Sequence, residues 1–326
     1  MTVLIAPDSF KGTYTAREVA DAVAAGVESF GEKAIRLPVA DGGEGTQEVL
    51  DVPLGLRSVT TSSRNPWGLP CRAAYGLSDD GIAVVEIAAA SGITTPHVGP
   101  RDPVTATTYG TGMLIADAAR RGARHILVAA GGSATTDGGT GAIAAIEARG
   151  GLRGAALTVL TDVTTRYVDA ARVFGPQKGA DVGAIRLLTR QLEAKALALP
   201  RDPSNVDATG AAGGFSGGMW ARYGAELCSG AEYILDVIGF GAAAAAASAI
   251  VVGEGRLDGQ TKAGKIISAI LTRAGTTPVY AVVGSIGHDL GEYRSRFADV
   301  LLATDAVAMH EAGRAIAGRL RTPTRP

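Results

Sequence analysis

Cysteine is almost missing from this chain: Cys71 and Cys228 are the only two, too few for a disulfide framework and without the spacing of a zinc site. A reducing, cytoplasmic setting is the expectation. Histidine is equally sparse, and His97, His125, His288 and His310 show no metal-ligand pattern. No nucleophile elbow is present, and neither cysteine has an activating base beside it in sequence, so general-base work falls to an aspartate. Charge of one sign is lacking too, with 31 Lys and Arg against 32 Asp and Glu and a net charge of -1. A nucleic-acid partner is therefore not expected, and any phosphate must be recognised locally. No apolar run approaches a membrane span. The stretch 3–6 is too short and lacks the basic flank of a signal peptide, and the alanine run 242–247 is short and weakly apolar. Aromatics are only 5% of residues, so the core must be built from Ala, Val, Leu and Ile.

Glycine is abundant, at 45 of 326 residues, and the length exceeds what one hydrophobic core usually serves, so two domains are the prior. The recurring pattern is a short apolar run, a loop of Gly, Asp, Ser and Thr, then a helical stretch, which implies parallel sheet. It begins with a strand at 3–6 and a helix opened by a capping box at Thr15 and Glu18, with Val19, Val23 and Val27 on one face and Gly31 at its end. Further strands are predicted at 34–39, 125–130, 157–161, 249–252, 278–283 and 300–303. Those at 157–161 and 300–303 end on an aspartate, Asp162 and Asp305. Between residues 57 and 93 the texture changes to short strands at 59–62, 72–75 and 82–87, separated by turns at 65–68 and 79–81. A mixed-sheet domain inserted after the first units follows.

In open parallel sheets ligands bind beyond the carboxyl ends of the strands, where these loops gather. The loop 131–139 carries Gly131, Gly132, Ser133, Thr135 and Asp137 between a strand and a helix, a setting for phosphate because backbone amides and the helix dipole favour an anion. The segment 139–144 fits a loose dinucleotide fingerprint but starts too far from its strand. Residues 259–265 nearly spell a P-loop, with Ile266 where a magnesium-binding hydroxyl belongs. In 253–261, Glu254, Arg256 and Asp258 crowd one glycine-rich loop. Carboxylates next to phosphate make sense if one or two hold magnesium. Asp41 and Glu44 sit on a similar loop, Asp8, Ser9 and Lys11 follow the first strand, and Lys178 sits in a Pro-Gly frame.

Six stretches, 6–12, 41–46, 131–139, 174–180, 210–214 and 253–265, resemble the type I glycerate kinases of bacteria in order along nearly the whole chain. The resemblance implies phosphoryl transfer from ATP, with Mg2+, to D-glycerate, most naturally giving the 2-phosphate. It also implies an α/β fold of two α/β domains. One is a flavodoxin-like parallel-sheet domain built from both chain ends (1–56 plus 247–326), the other an inserted mixed-sheet domain (57–246), with the active site in the cleft between them. Asp8, Lys11, Asp41 and Asp258 are assigned to catalysis, with Asp8 and Asp41 alternatives for the base. Ser9, Glu44 and Arg256 are assigned to the substrate. Gly131, Gly132, Ser133, Thr135, Asp137 and Lys178 are assigned to the nucleotide, and Glu254, Asp258 and Asp162 to the metal. A homodimer is compatible with this reading. The chain departs from the family at Thr165 and Arg166, where Asn-Pro is usual, and at Met113 and Thr136. A kinase of another hydroxy acid and a non-catalytic carboxylate- or nucleotide-binding protein stay open as alternatives.

Overall fold

A computed structural model of the protein describes residues 1–258, 265–287 and 290–321. The strands among them are β1 (Thr2–Pro7), β2 (Lys33–Arg36), β3 (Leu56–Arg64), β4 (Pro70–Ser78), β5 (Ile82–Glu86), β6 (His125–Ala129), β7 (Ala156–Leu160), β8 (Glu226–Cys228), β9 (Ala249–Glu254), β10 (Val279–Val283) and β11 (Asp299–Leu302). The chain divides into two compact units, Met1–Asp41 with Ala231–Pro326, and Gly42–Gly230.

The first unit holds a wholly parallel sheet in the order β2-β1-β9-β10-β11. Numbered along the unit, that order is 2-1-3-4-5, the flavodoxin-like arrangement, whose switch point lies between β1 and β9. Strand β1 shows why the sheet is covered on both faces. Val3 and Ile5 join a core with Val19, Val23, Val27, Met309 and Ile316, while Leu4 and Ala6 join Leu235, Phe240, Ile266 and Ile270. On the first face, helices Ala16–Ser29 and Ala306–Arg321 lie so close that a Cβ on Gly26 would stand 1.9 Å from the carbonyl oxygen of His310. The helix Ala16–Ser29 starts as the sequence indicates, with Thr15 Oγ1 accepting from Glu18 N at 3.2 Å and Glu18 Oε2 accepting from Thr15 N at 2.8 Å.

The second unit holds a six-stranded mixed sheet, β3-β4-β5-β6-β7-β8, antiparallel from β3 to β5 and parallel from β5 to β8. Both expected turns are present. Asn65 Oδ1 accepts from the amides of Trp67 and Leu69, and Gly81, at φ 77°, closes the turn between β4 and β5. Leu114, Ile115, Ile126, Val128, Ile146, Phe215 and Met219 fill the core beside this sheet.

Three expectations change in detail. The strand expected at 34–39 ends at Arg36. Leu37 and Val39 still donate to Ile5 and Pro7, but Pro7 has no N–H to return a bond to the carbonyl of Leu37. The unit boundaries expected at 56/57 and 246/247 fall at 41/42 and 230/231. Helix Thr46–Leu54 packs on the second sheet, whereas Ala231, Leu235, Phe240 and Ala244 complete the core of the first. The near P-loop match lies outside the described residues from 259 to 264.

Candidate active site

At the switch point of the first unit, the loops after β1, β2, β9, β10 and β11 line a cleft of about 560 Å³ with Asp8, Ser9, Phe10, Lys11, Asp41, Glu254, Arg256 and Asp258 on its walls. Seven of the predicted site residues thus meet at one place. Phe10, Thr13, Gly284 and Thr304 also line it. Their only signal in the sequence was position just beyond a strand.

Asp8 is the first residue after β1, and its amide extends the ladder by donating to Gly253 O at 2.9 Å. Only 7% of the residue is exposed. Burial pushes its carboxyl up to about 7, and the neighbouring charge of Asp41 adds to the rise. The amide of Ser9, donating to Asp8 Oδ1 at 2.6 Å, and the charge of Lys11 work against it. The chain then turns back tightly, with Phe10 O accepting from Thr13 N, Thr13 Oγ1 and Tyr14 N. That turn presents Lys11, whose Nζ stands 3.5 Å from Asp41 Oδ2. The charge of Asp41 raises the Lys11 amine above its ordinary value.

The loop after β9 is tied to the loop after β10 through Leu257, which is fully buried. Its amide donates to Ser285 O at 2.9 Å and its carbonyl accepts from Gly287 N at 2.7 Å. This anchor leaves Arg256 exposed and Asp258 half-buried, with Arg256 Nη2 3.6 Å from Asp258 Oδ2. Glu254, the last residue of β9, keeps Oε1 buried. Among the described residues no three acidic, histidine or cysteine side chains converge as a metal site. A magnesium ion shared between one or two carboxylates, phosphate oxygens and water does not require such a cluster. Glu254 and Asp258 have the hard oxygen donors that magnesium prefers. Four carboxyls against two cations make the cleft acidic, so an anionic ligand there needs a proton or a divalent cation as well.

The remaining predicted residues lie in the second unit. Glu44 is exposed on the turn before helix Thr46–Leu54, whose first amides are covered instead by Glu86, accepting from Gln47 N at 2.8 Å. Asp162 accepts from Ser229 Oγ at 2.7 Å. Asp305, in the first unit, caps the last helix, its Oδ1 accepting from Ala308 N. The departure at Thr165 and Arg166 forms a turn closed by Gly210, whose amide donates to Thr165 O at 2.8 Å.

The loop 131–139 is more self-contained than its composition indicates. The carboxylate of Asp137, 8% exposed, accepts from Thr107 Oγ1, from Thr108 N and Oγ1, and from the amides of Gly139 and Gly141. It therefore occupies the N-terminus of helix Thr140–Glu147, where a phosphate was expected. The amides of Ala134 and Gly138 donate to Ser91 O and Gly213 O, and Ser133 Oγ bonds both the amide and the hydroxyl of Thr135. Gly132, exposed, forms the open front of the loop, whereas half-buried Gly131 packs against Gly43 and its amide donates to Gly42 O at 3.4 Å. Lys178 is turned inward, its Nζ donating to Thr135 O. Burial pushes this amine down to about 7, opposed by the charge of Asp137.

The sequence profile of the glycerate kinase family matches residues 3–152 and 147–322. The chain is 34% identical to the glycerate 2-kinase of Escherichia coli K12 over 89% of its own length and 87% of that protein's. It is 36% identical to the glycerate kinase of Bacillus subtilis 168, over 89% and 86%. A crystal structure from Salmonella typhimurium LT2, of a chain bearing the name glycerate kinase 2, superposes with a TM-score of 0.84 at 32% identity, covering 98% of both chains. With the α/β fold and its cleft of acids and lysine, these likenesses place the chain among the phosphotransferases. More narrowly, it belongs to the glycerate kinase family.

Proposed function

We propose that the protein transfers the γ-phosphoryl group of ATP to a hydroxyl of D-glycerate in the presence of magnesium, with 2-phosphoglycerate as product, in the cytoplasm. The observation that carries this reading is Asp8: a carboxyl seated in the cleft and poised near neutrality is matched to accept a hydroxyl proton at working pH. It supports Asp8 over Asp41 as the base, since Asp41 already faces Lys11 at 3.5 Å. In the transfer, the glycerate oxygen attacks the γ-phosphorus while its proton passes to Asp8. The bond from γ-phosphorus to the β–γ bridging oxygen breaks, and ADP leaves with the electron pair. Lys11 and Arg256 offset the negative charge of substrate carboxylate and phosphate, and the Ser9 hydroxyl and Glu44 contribute polar contacts to the substrate. Glu254 and Asp258 would hold magnesium, which supplies neutralisation of the phosphate oxygens. In the second unit, the front of the loop 131–139 would meet the nucleotide phosphates through Gly131, Gly132 and Ser133. Such a site works by positioning and charge, which is consistent with the scarcity of histidine and cysteine.

The Thr165–Arg166 departure keeps a second reading in view, a kinase of a related hydroxy acid. Coupled ADP release with ATP and magnesium, run over a panel of hydroxy acids, decides between them. Turnover is expected to be fastest with D-glycerate and to stop on chelation of the metal, with phosphorus NMR identifying the 2-phosphate. Faster turnover with another acid would move the assignment to that acid, and no turnover with any, in folded protein, would sink the kinase reading.

A further inference from the structure

Three side chains grip the loop 131–139 from outside it, each through a different carbonyl. Lys178 Nζ donates to Thr135 O, Lys195 Nζ to Asp137 O at 3.0 Å, and Tyr167 Oη to Gly138 O at 3.1 Å. The Asp137 carboxylate ties the same segment to Thr107, Thr108 and the next helix, so its backbone is fastened on both sides. The mounts are rigid. Lys195 rides on helix Val182–Ala198, which is capped by Asp181 and sends Leu188, Leu192 and Ala196 into a core with the fully buried Tyr167. Lys178 is 9% exposed, and among the described residues no carboxylate forms an ion pair with its amine. A buried amine bonded to a main-chain oxygen is costly, and its lowered affinity for a proton registers that cost. Because a peptide unit is planar and trans, holding the Thr135 carbonyl also sets the direction of the Thr136 amide. The Thr136 hydroxyl, like those of Thr46 and Tyr223, is buried without a hydrogen-bond partner among the described residues.

We propose that Lys195 and Lys178 are positioning residues that act through the carbonyls of Asp137 and Thr135 to hold the loop in the shape that receives nucleotide phosphates. The inference rests on the reading of this loop as the nucleotide contact. Lys195, being only half-buried, is the residue to change first. In full-length Lys195→Met without nucleotide, amide hydrogen exchange across residues 131–139 should quicken. The KM for ATP should rise about tenfold while the KM for D-glycerate stays within about twofold, since a displaced loop misplaces one substrate and not the other. Lys195→Arg, which keeps a long donor, should restore both. Unchanged exchange in Lys195→Met overturns the bracing role. Faster exchange with an unchanged KM for ATP overturns instead the premise that the loop meets the nucleotide, and the proposal with it. Lys178→Met is the second variant and is read in the same way if it melts cooperatively; should it fail to fold, Lys195→Met decides alone.

Discussion

A carboxyl group shielded from water and facing a second carboxylate is a poor place to keep a negative charge, and Asp8 occupies such a place. Catalysis and folding then make opposite demands on one proton. As the proposed base, Asp8 must be ionised, so kcat/KM should rise with pH and level off above about 7. For folding, the native state keeps a proton that the unfolded chain releases near 3.8, so this group lowers stability as pH climbs from the unfolded value to about 7. Asp8→Asn removes both effects. Turnover should drop by roughly 10²–10⁴-fold. The melting temperature of the variant relative to the parent should rise from pH 5 to pH 8, since the amide imitates the protonated acid. A melting difference that does not grow with pH would refute the burial account, even if activity is lost.

Among elements, the segment Ala211–Tyr223 is tightly constrained. It opens with three left-handed residues, Ala212, Gly213 and Gly214, before turning helical. At Gly213, φ 67°, an added Cβ would stand 2.0 Å from Thr135 O, on the loop that Lys178 and Lys195 hold. Gly213→Ala should cost roughly 2–4 kcal/mol, read as a lower urea midpoint with an unchanged slope. An unchanged midpoint would mean that the two backbones separate easily. Much at this scale was legible in the sequence. The capping box at Thr15 and the valine stripe behind it are local patterns with one solution, and alternating or continuous apolar runs announce most strands. Strand β8 was not legible, because three residues at a sheet edge carry no periodicity. Nor was the inward turn of Asp137. Loop composition shows that an acid is available, but whether it faces a ligand or the loop's own amides depends on Thr107 and Thr108, some thirty residues earlier. Grouping Asp8, Lys11 and Asp41 with Glu254 and Asp258 succeeded because strand ends in a parallel sheet share an edge.

For the whole molecule, the unit Gly42–Gly230 is continuous in sequence and contains its own six-stranded sheet and core. Expressed alone, residues 42–230 should give a cooperative melt and an α/β circular dichroism spectrum. A non-cooperative or random-coil result would show that the segment depends on the rest of the chain. The other unit is made from the two ends, and its strand β1 pairs with the central strand β9, whose residues follow β2 by about two hundred positions. On a ribosome adding ~5–20 residues per second, β1 and β2 wait on the order of ten to forty seconds before β9 exists. Asp8 and Asp41 are among the first residues made and Glu254 and Asp258 among the last third, so the cleft has no walls until synthesis is nearly over. Any chain released early, by a stop codon or a stalled ribosome, lacks half of its cleft.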